Sequence, residues 1–476
     1  MRQAEVTSRV ATVSLDRVGF AVWSTAFAVG VVLHEWQKGA PPVSWHTVSL
    51  LLALGVILRP AAVGRTMLLL GSLAVELASE MPDPWNHGVI AGVGGGAVAL
   101  WWLGLFARSP SRARDCGYVY RRITPFLRVA FILAFAAAAF SKLNTGFFES
   151  IGGCATWIME SIPLVTVPVG LRPVLTLGAV LIEFAIPVLL IFRRSRPIAI
   201  VLGFGFHALS SLAGHTAFAG FAWSFYLIFL PSGVLARAAV QARRLVGSEV
   251  RHQVSAINRS PWSWVGLAVV ALIALTALDM LSPSLQPLVR RWGAAIPYLA
   301  YSAVWFVLLA RIRGQWLHLR GDTVPRDALR VRSVLLLAAL GLLVVNAASP
   351  YLGLKTRYSF TMYSNLHTEA GYWNHLVVPE SVRVFDQQDR LVRLTQVSDP
   401  RLVGELEFMG GETLPLPAVQ RLAAEYPAAI VSYEIDGQVR TAAPFGDDAT
   451  LGLPASPLLD FFGGFRPVES DNRCLH

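Results

Sequence analysis

The sequence predicts an all-α, multi-pass transmembrane helical bundle of about eleven spans, followed by a small C-terminal extracytoplasmic α+β domain. Three observations carry that prediction. Of the 476 residues, 54% are hydrophobic and only 15% charged, whereas soluble chains carry roughly a quarter charged residues. Mean hydropathy is +0.53, and apolar runs near the twenty or so residues that cross a bilayer recur as far as residue 348. The arginines fall in alternate loops between those runs, the pattern by which a membrane protein is oriented.

Taken in order, the first run, 18–34, follows Arg2, Arg9 and Arg17 and lacks a small-residue cleavage site, so it reads as a retained span. Runs at 46–63 and 66–80 flank Arg59 and Arg65, and the second of them is short for a crossing. The run 88–107 opens on "PDPWNHGVIAG" and leads into Arg108, Arg112, Arg114, Arg121 and Arg122. The run 123–142 ends in "FSKLN". Runs 171–192 and 197–214 are separated by Arg193, Arg194 and Arg196, and the nearly uncharged turn at His215 leads into 217–236. Runs at 262–282, 293–310 and 332–348 complete the membrane domain, 1–348. The opposite set of loops holds Glu80, Asp83, Glu149 and Glu160, with Arg290 and Arg291 as its exception. The cation bias therefore predicts a cell-membrane protein with a cytoplasmic N-terminus and an extracytoplasmic segment 349–476.

That last segment changes character. "VRVFDQQDRLVRLTQV" and "AAIVSYEIDGQVRTA" alternate as strands do, and "LPAVQRLAAEYP" reads as one helix. The net charge of +10 has no contiguous basic face behind it, which argues against a nucleic-acid partner and leaves the lipid bilayer as the obvious one. The three cysteines, Cys116, Cys154 and Cys474, have no metal-ligand spacing, and no metal is expected from them. The topology puts Cys154 and Cys474 on the oxidising side, which makes them a disulfide candidate.

Ionisable residues in a membrane are costly and usually functional. Glu183 lies deep in the sixth run and His207 in the seventh; each reads equally as a buried hydrogen-bonding group or as part of a site. Lys142 ends the fifth run, where a snorkelling anchor and a reactive amine are both open. A helix C-terminus favours the cation, while apolar burial disfavours it. His87, near a helix N-terminus, is suited to remaining neutral and relaying a proton, or to sitting beside Trp85 in an interfacial belt. By the predicted topology Lys142, Asn86, His87 and His215 share one membrane face.

Four of these stretches resemble the HTTM (horizontally transferred transmembrane) family, which includes the membrane part of vitamin K-dependent gamma-carboxylase. They are "WNHG", "FSKLNTGFF", "LIEFAIPVLLIFRRSRPIAIVLGFGFH" and "SPYLGLKTRYSFTMYSNLHTEAGYWNHL". The resemblance implies Lys142 as the base that deprotonates reduced vitamin K or another membrane quinol, with His87 assisting. Asn86, Asn144, Glu183, His207 and His215 become candidates for the surrounding pocket. O2 and CO2 would be co-reactants, a glutamate in a secreted peptide or protein would be the substrate, and no bound metal is implied. The chain departs from the carboxylases in carrying Ser141 before Lys142, Asn144 in place of an aspartate and "FHALSSLAGH" after the Phe-His step. Its external tail is also much shorter. A non-catalytic helper in maturation or export of a secreted peptide is the alternative expectation, and a transporter lined by Glu183 and His207 the third.

Overall fold

A computed structural model describes residues 2–38, 44–149, 153–245, 285–312, 328–409, 411–442, 444–451, 464–468 and 474. The chain is mostly helical, with a small antiparallel sheet near its C-terminal end. Helices α1 (Arg2–Lys38), α2 (Trp45–Leu58), α3 (Val63–Glu80), α4 (Asn86–Arg108), α5 (Pro110–Arg114) and α6 (Cys116–Ser141) come first. Two short helices, α7 (Thr145–Phe148) and α8 (Cys154–Glu160), precede α9 (Arg172–Ile191), α10 (Arg196–Leu212), α11 (Thr216–Leu227) and α12 (Ser232–Leu245). Then come α13 (Gln286–Arg311) and α14 (Val334–Leu352).

Among the described residues, six helices are long and apolar enough to cross a membrane: Leu15–Lys38, Asn86–Arg108, Cys116–Ser141, Val169–Ile191, Pro287–Arg311 and Val334–Leu352. The bent pair α11–α12, broken by 117°, would make a seventh. The expected count of eleven differs for physical reasons. The run 46–63 yields only the 14 residues of α2, about 21 Å of helix against a hydrocarbon core of roughly 30 Å. The run 197–214 yields the 17 residues of α10, and the run 66–80 lies in α3, too polar to pass as a span. The expected span at 262–282 lies outside the described residues.

The chain divides into two compact units. The first comprises residues 1–79, 90–132 and 185–341. Here α1 is central and packs against α2, α11, α12 and α13. Its approach to α11 requires glycine: a Cβ on Gly30 would lie 2.8 Å from the backbone of Gly220. Small residues at such crossings let helices touch backbone to backbone in lipid. Where α11 breaks, the Arg128 guanidinium donates to the Ile228 carbonyl at 3.0 Å through Nε, which satisfies an acceptor that the lost helical turn leaves open. Asp16 on α1 accepts from Arg121 and from Ser232, at 2.7 and 2.8 Å, and so ties three helices together.

The second unit comprises residues 80–89, 133–184 and 342–476. It contains strands β1 (Leu391–Val397), β2 (Thr413–Pro415), β3 (Val431–Ile435) and β4 (Gln438–Ala442) in the order β2-β1-β3-β4, all antiparallel. Between β3 and β4, Asp436 and Gly437 both take positive φ, the pairing a two-residue type I′ hairpin needs. Helices α15 (Pro400–Met409) and α16 (Leu416–Glu425) supply Leu402, Leu406, Val419 and Leu422 to the core of the sheet, where they meet Val392, Leu394, Val431 and Tyr433. The stretch "VRVFDQQD" is not a strand: Arg383 turns back to pair with Asp389 at 2.6 Å, and pairing begins only at Leu391. Cys154 and Cys474 form a disulfide within this unit.

Candidate functional site

The site is built around a backbone segment without helix or strand, 353–379, much of it buried between 355 and 369. Four of its non-glycine residues, Tyr358, Phe360, Tyr363 and Asn365, adopt positive φ. Such a backbone cannot pair its own amides and carbonyls, so buried side chains must do so. Arg466 donates from Nη2 to the Thr361 carbonyl and hydroxyl, both at 2.7 Å. Asn346 donates to the Tyr358 carbonyl. The remaining partners include three of the residues singled out in the sequence.

Asn86, the first residue of α4, accepts the Phe360 N–H at 2.6 Å. Lys142, immediately after α6, donates to the Met362 carbonyl at 2.9 Å. Asn144 caps α7 by accepting the Phe147 N–H at 2.8 Å, and its amide nitrogen donates to the Ser141 and Ser364 carbonyls at 2.7 and 2.6 Å. The Asn86 and Lys142 side chains are thus fastened two residues apart on one segment, and Asn144 two residues further along.

The Lys142 amine is 3% exposed, which is not where a snorkelling anchor sits. Three oxygens surround it: the Ala138 carbonyl at 3.3 Å, which also accepts the Ser141 hydroxyl, the Met362 carbonyl, and Glu183 Oε2 at 2.8 Å. Phe147 covers a further side, with its ring centre 5.8 Å from the nitrogen. The approach to Glu183 is too oblique for a well-formed hydrogen bond, so Oε2 is close to the charge yet has no aligned donor among the described residues. Glu183 is itself buried on α9. A buried pair of this kind holds both charges only while both partners are present.

His87 is buried at the start of α4 with its ring edge-on to Trp85 at 5.3 Å, and is not among the groups described around the amine. His207 and His215 belong to the first unit. His207 is enclosed by Phe218 and Tyr226, and His215 precedes the first turn of α11.

Sequence reasoning passed over His375. Its ring sits between Phe140 and Tyr351, and Nε2 lies 3.1 Å from the Phe140 carbonyl. Nδ1 accepts the N–H groups of Val377 and Val378 at 3.1 and 2.9 Å. That arrangement requires a neutral ring protonated on Nε2, and burial holds the imidazole below its ordinary range. The stretch "WNHL" carries no local sign that this histidine is fixed in one tautomer. Asn374, its neighbour, donates to the Asn365 carbonyl at 2.8 Å and accepts from the His367 N–H at 2.9 Å.

No protein family, no curated protein and no solved structure matches the chain. The apolar helices make it a membrane protein.

Proposed function

We propose that this chain is an HTTM-type membrane enzyme, carboxylase-like in its chemistry, with Lys142 as base and Glu183 as the group that takes the proton Lys142 must shed. One observation carries the reading: a lysine withdrawn from solvent lies 2.8 Å from a buried carboxylate oxygen that has no aligned donor among the described residues. A charged amine is no base. Transfer of its proton to Glu183 leaves a neutral amine still held by the Ala138 and Met362 carbonyls through its two remaining N–H bonds.

Reduced vitamin K or another membrane quinol fits the donor set, because its weakly acidic hydroxyl supplies the donor that Glu183 Oε2 lacks. When bound, such a quinol provides, with O2, the strong base that removes a proton from substrate glutamate, to which CO2 adds. Lys142, once neutral, would take the hydroxyl proton and hold it as the ammonium, while the first proton stays on Glu183. Asn86, Asn144 and His375 position the segment that faces the amine. His87, one residue from Asn86, is assigned to assisting proton transfer. The same reading places the chain in the cell membrane, with the N-terminus in the cytoplasm and residues 349–476 as an extracytoplasmic domain. The Cys154–Cys474 disulfide supports that placement, because disulfides persist in oxidising compartments.

A second reading has its own observation. With two carbonyls accepting from it and the Glu183 carboxylate beside its charge, the Lys142 ammonium also works as a structural staple for segment 358–365, which suits a non-catalytic helper for a secreted peptide. The deciding experiment purifies wild type and Glu183→Gln with native lipids, identifies copurified quinones by mass spectrometry, and follows labelled CO2 incorporation into a glutamate-containing peptide with added quinol. The enzyme reading expects quinone in both preparations and incorporation by wild type alone. Quinone-free preparations with no incorporation would leave the helper.

A further inference from the structure

The first unit carries a second buried constellation of ionisable groups that the Lys142 chemistry does not use. His34 and Glu35 lie near the end of α1, His46 at the start of α2 and Glu76 near the end of α3. Helix direction alternates, so all four sit at the same end of this three-helix group. Glu35 is 0%, His34 2% and Glu76 4% exposed.

Their ligand atoms converge. His46 Nδ1 lies 3.1 Å from Glu35 Oε2 and 3.2 Å from Glu76 Oε1. His34 Nε2 lies 3.8 Å from Glu35 Oε1 and 3.8 Å from Glu76 Oε1. For His34, Glu35 and Glu76 one ligand atom each falls within 4.8 Å of the others. Each imidazole thus turns a single nitrogen toward both carboxylates. One ring nitrogen carries one proton and cannot serve two carboxylates well. A cation among His34, Glu35 and Glu76 serves both carboxylates at once.

The dimensions agree with that. Tetrahedral nitrogen and oxygen ligands about 2.1 Å from a zinc-like ion are roughly 3.4 Å apart; His34 Nε2 lies 3.8 Å from both Glu35 Oε1 and Glu76 Oε1, while His46 faces the other Glu35 oxygen, Oε2. Glu35 and Glu76 offer a divalent ion two carboxylates, and Lys38, one turn beyond His34, lies near both. Glu35 Oε1 and Glu76 Oε2, both buried, have no hydrogen-bond donor among the described residues. The frame is braced, since Ser49 on α2 and Ser72 on α3, about one turn from His46 and Glu76, meet hydroxyl to hydroxyl at 3.0 Å. Phe221 lies against the His34 ring at 5.7 Å.

We propose that His34, Glu35 and Glu76 bind one first-row divalent transition ion of the zinc type, with His46 beside the ligand shell, clamping α1 to α3 at one end. The carboxylate and imidazole set suits zinc, iron or manganese and not a soft thiolate-seeking ion. The test uses the full chain in detergent, grown with zinc, iron and manganese and analysed by plasma mass spectrometry. About one equivalent of metal per chain is expected in wild type, falling at least fivefold in Glu76→Gln and in His34→Ala. A variant-free measurement guards against misfolding: chelated wild-type protein titrated with Co2+ should develop the strong visible absorption of a four-coordinate site, saturating near one equivalent. Wild type with no metal and no cobalt bands would overturn the proposal, and so would Glu76→Gln retaining the full equivalent.

Discussion

Removing Lys142 while leaving Glu183 strands a carboxylate inside the second unit, and the structure gives the cost. The two side chains are 4% and 9% exposed, so neither charge can turn to water. Breaking a buried ion pair from one side costs about 3–5 kcal/mol. Loss of the donor to the Met362 carbonyl adds roughly 1–3 kcal/mol. Lys142→Met should therefore destabilise the chain by about 4 kcal/mol or more, read as a fall in the thermal midpoint of purified protein in detergent. Lys142→Met with Glu183→Leu removes both charges and should recover most of that loss, because an apolar replacement of a buried pair is often neutral. The double variant separates the two readings of the lysine. As a structural staple, restored stability brings restored cellular function. As a base, stability returns while labelled CO2 incorporation does not. A double variant as unstable as Lys142→Met would refute the claim that the pair is an isolated, mutually compensating unit.

Three further outcomes are expected. Asn144→Asp exchanges an amide donor for an acceptor facing the Ser141 and Ser364 carbonyls, and should cost about 1–3 kcal/mol in thermal stability despite its similar shape; an unchanged midpoint would count against the described contacts. Non-reducing digestion with mass mapping should recover a Cys154–Cys474 linked peptide, with Cys116 as a free thiol, and Cys474→Ala should lower the thermal midpoint. Burial, opposed by Asp83, holds the Lys355 amine down to about 8 from 10.5. The unfolded chain then binds the extra proton between those values, so stability should rise as pH climbs from 8 toward 10.5; Lys355→Met should abolish that rise and stabilise the protein at pH 7 by about 3 kcal/mol.

Membrane character was legible because it rests on composition and run length, which need no partner. Strand β3, the Asp436–Gly437 turn and helix α16 were legible for a similar reason: their signals are local. Lys142 and Glu183 were each conspicuous as ionisable residues in apolar runs, yet 41 positions separate them and nothing local says they meet. The His34, Glu35, His46 and Glu76 constellation was passed over for that same reason. "LHEWQK" offers the one local clue, two ionisable residues side by side at the end of the first span. The short strand β2 could not be read from three residues alone, since its partner β1 lies some twenty positions earlier.

The resembling segments acquire a common physical sense from segment 358–365. A buried backbone with four left-handed residues outside glycine exists only if fixed polar side chains complete its hydrogen bonds. Asn86, Lys142 and Asn144 are three of those side chains, drawn from two separate motifs, and each reaches a different residue between 360 and 364. Structural need alone explains the two asparagines, since an amide satisfies a backbone group without carrying charge. It does not explain Lys142 and Glu183. A glutamine at 142 could donate to the Met362 carbonyl without the desolvation cost of an ammonium and a carboxylate. That cost is several kcal/mol per ion, which attraction in a buried pair offsets at best. The charges are therefore the part of the constellation that packing does not require, and the part on which the proposed proton transfer depends.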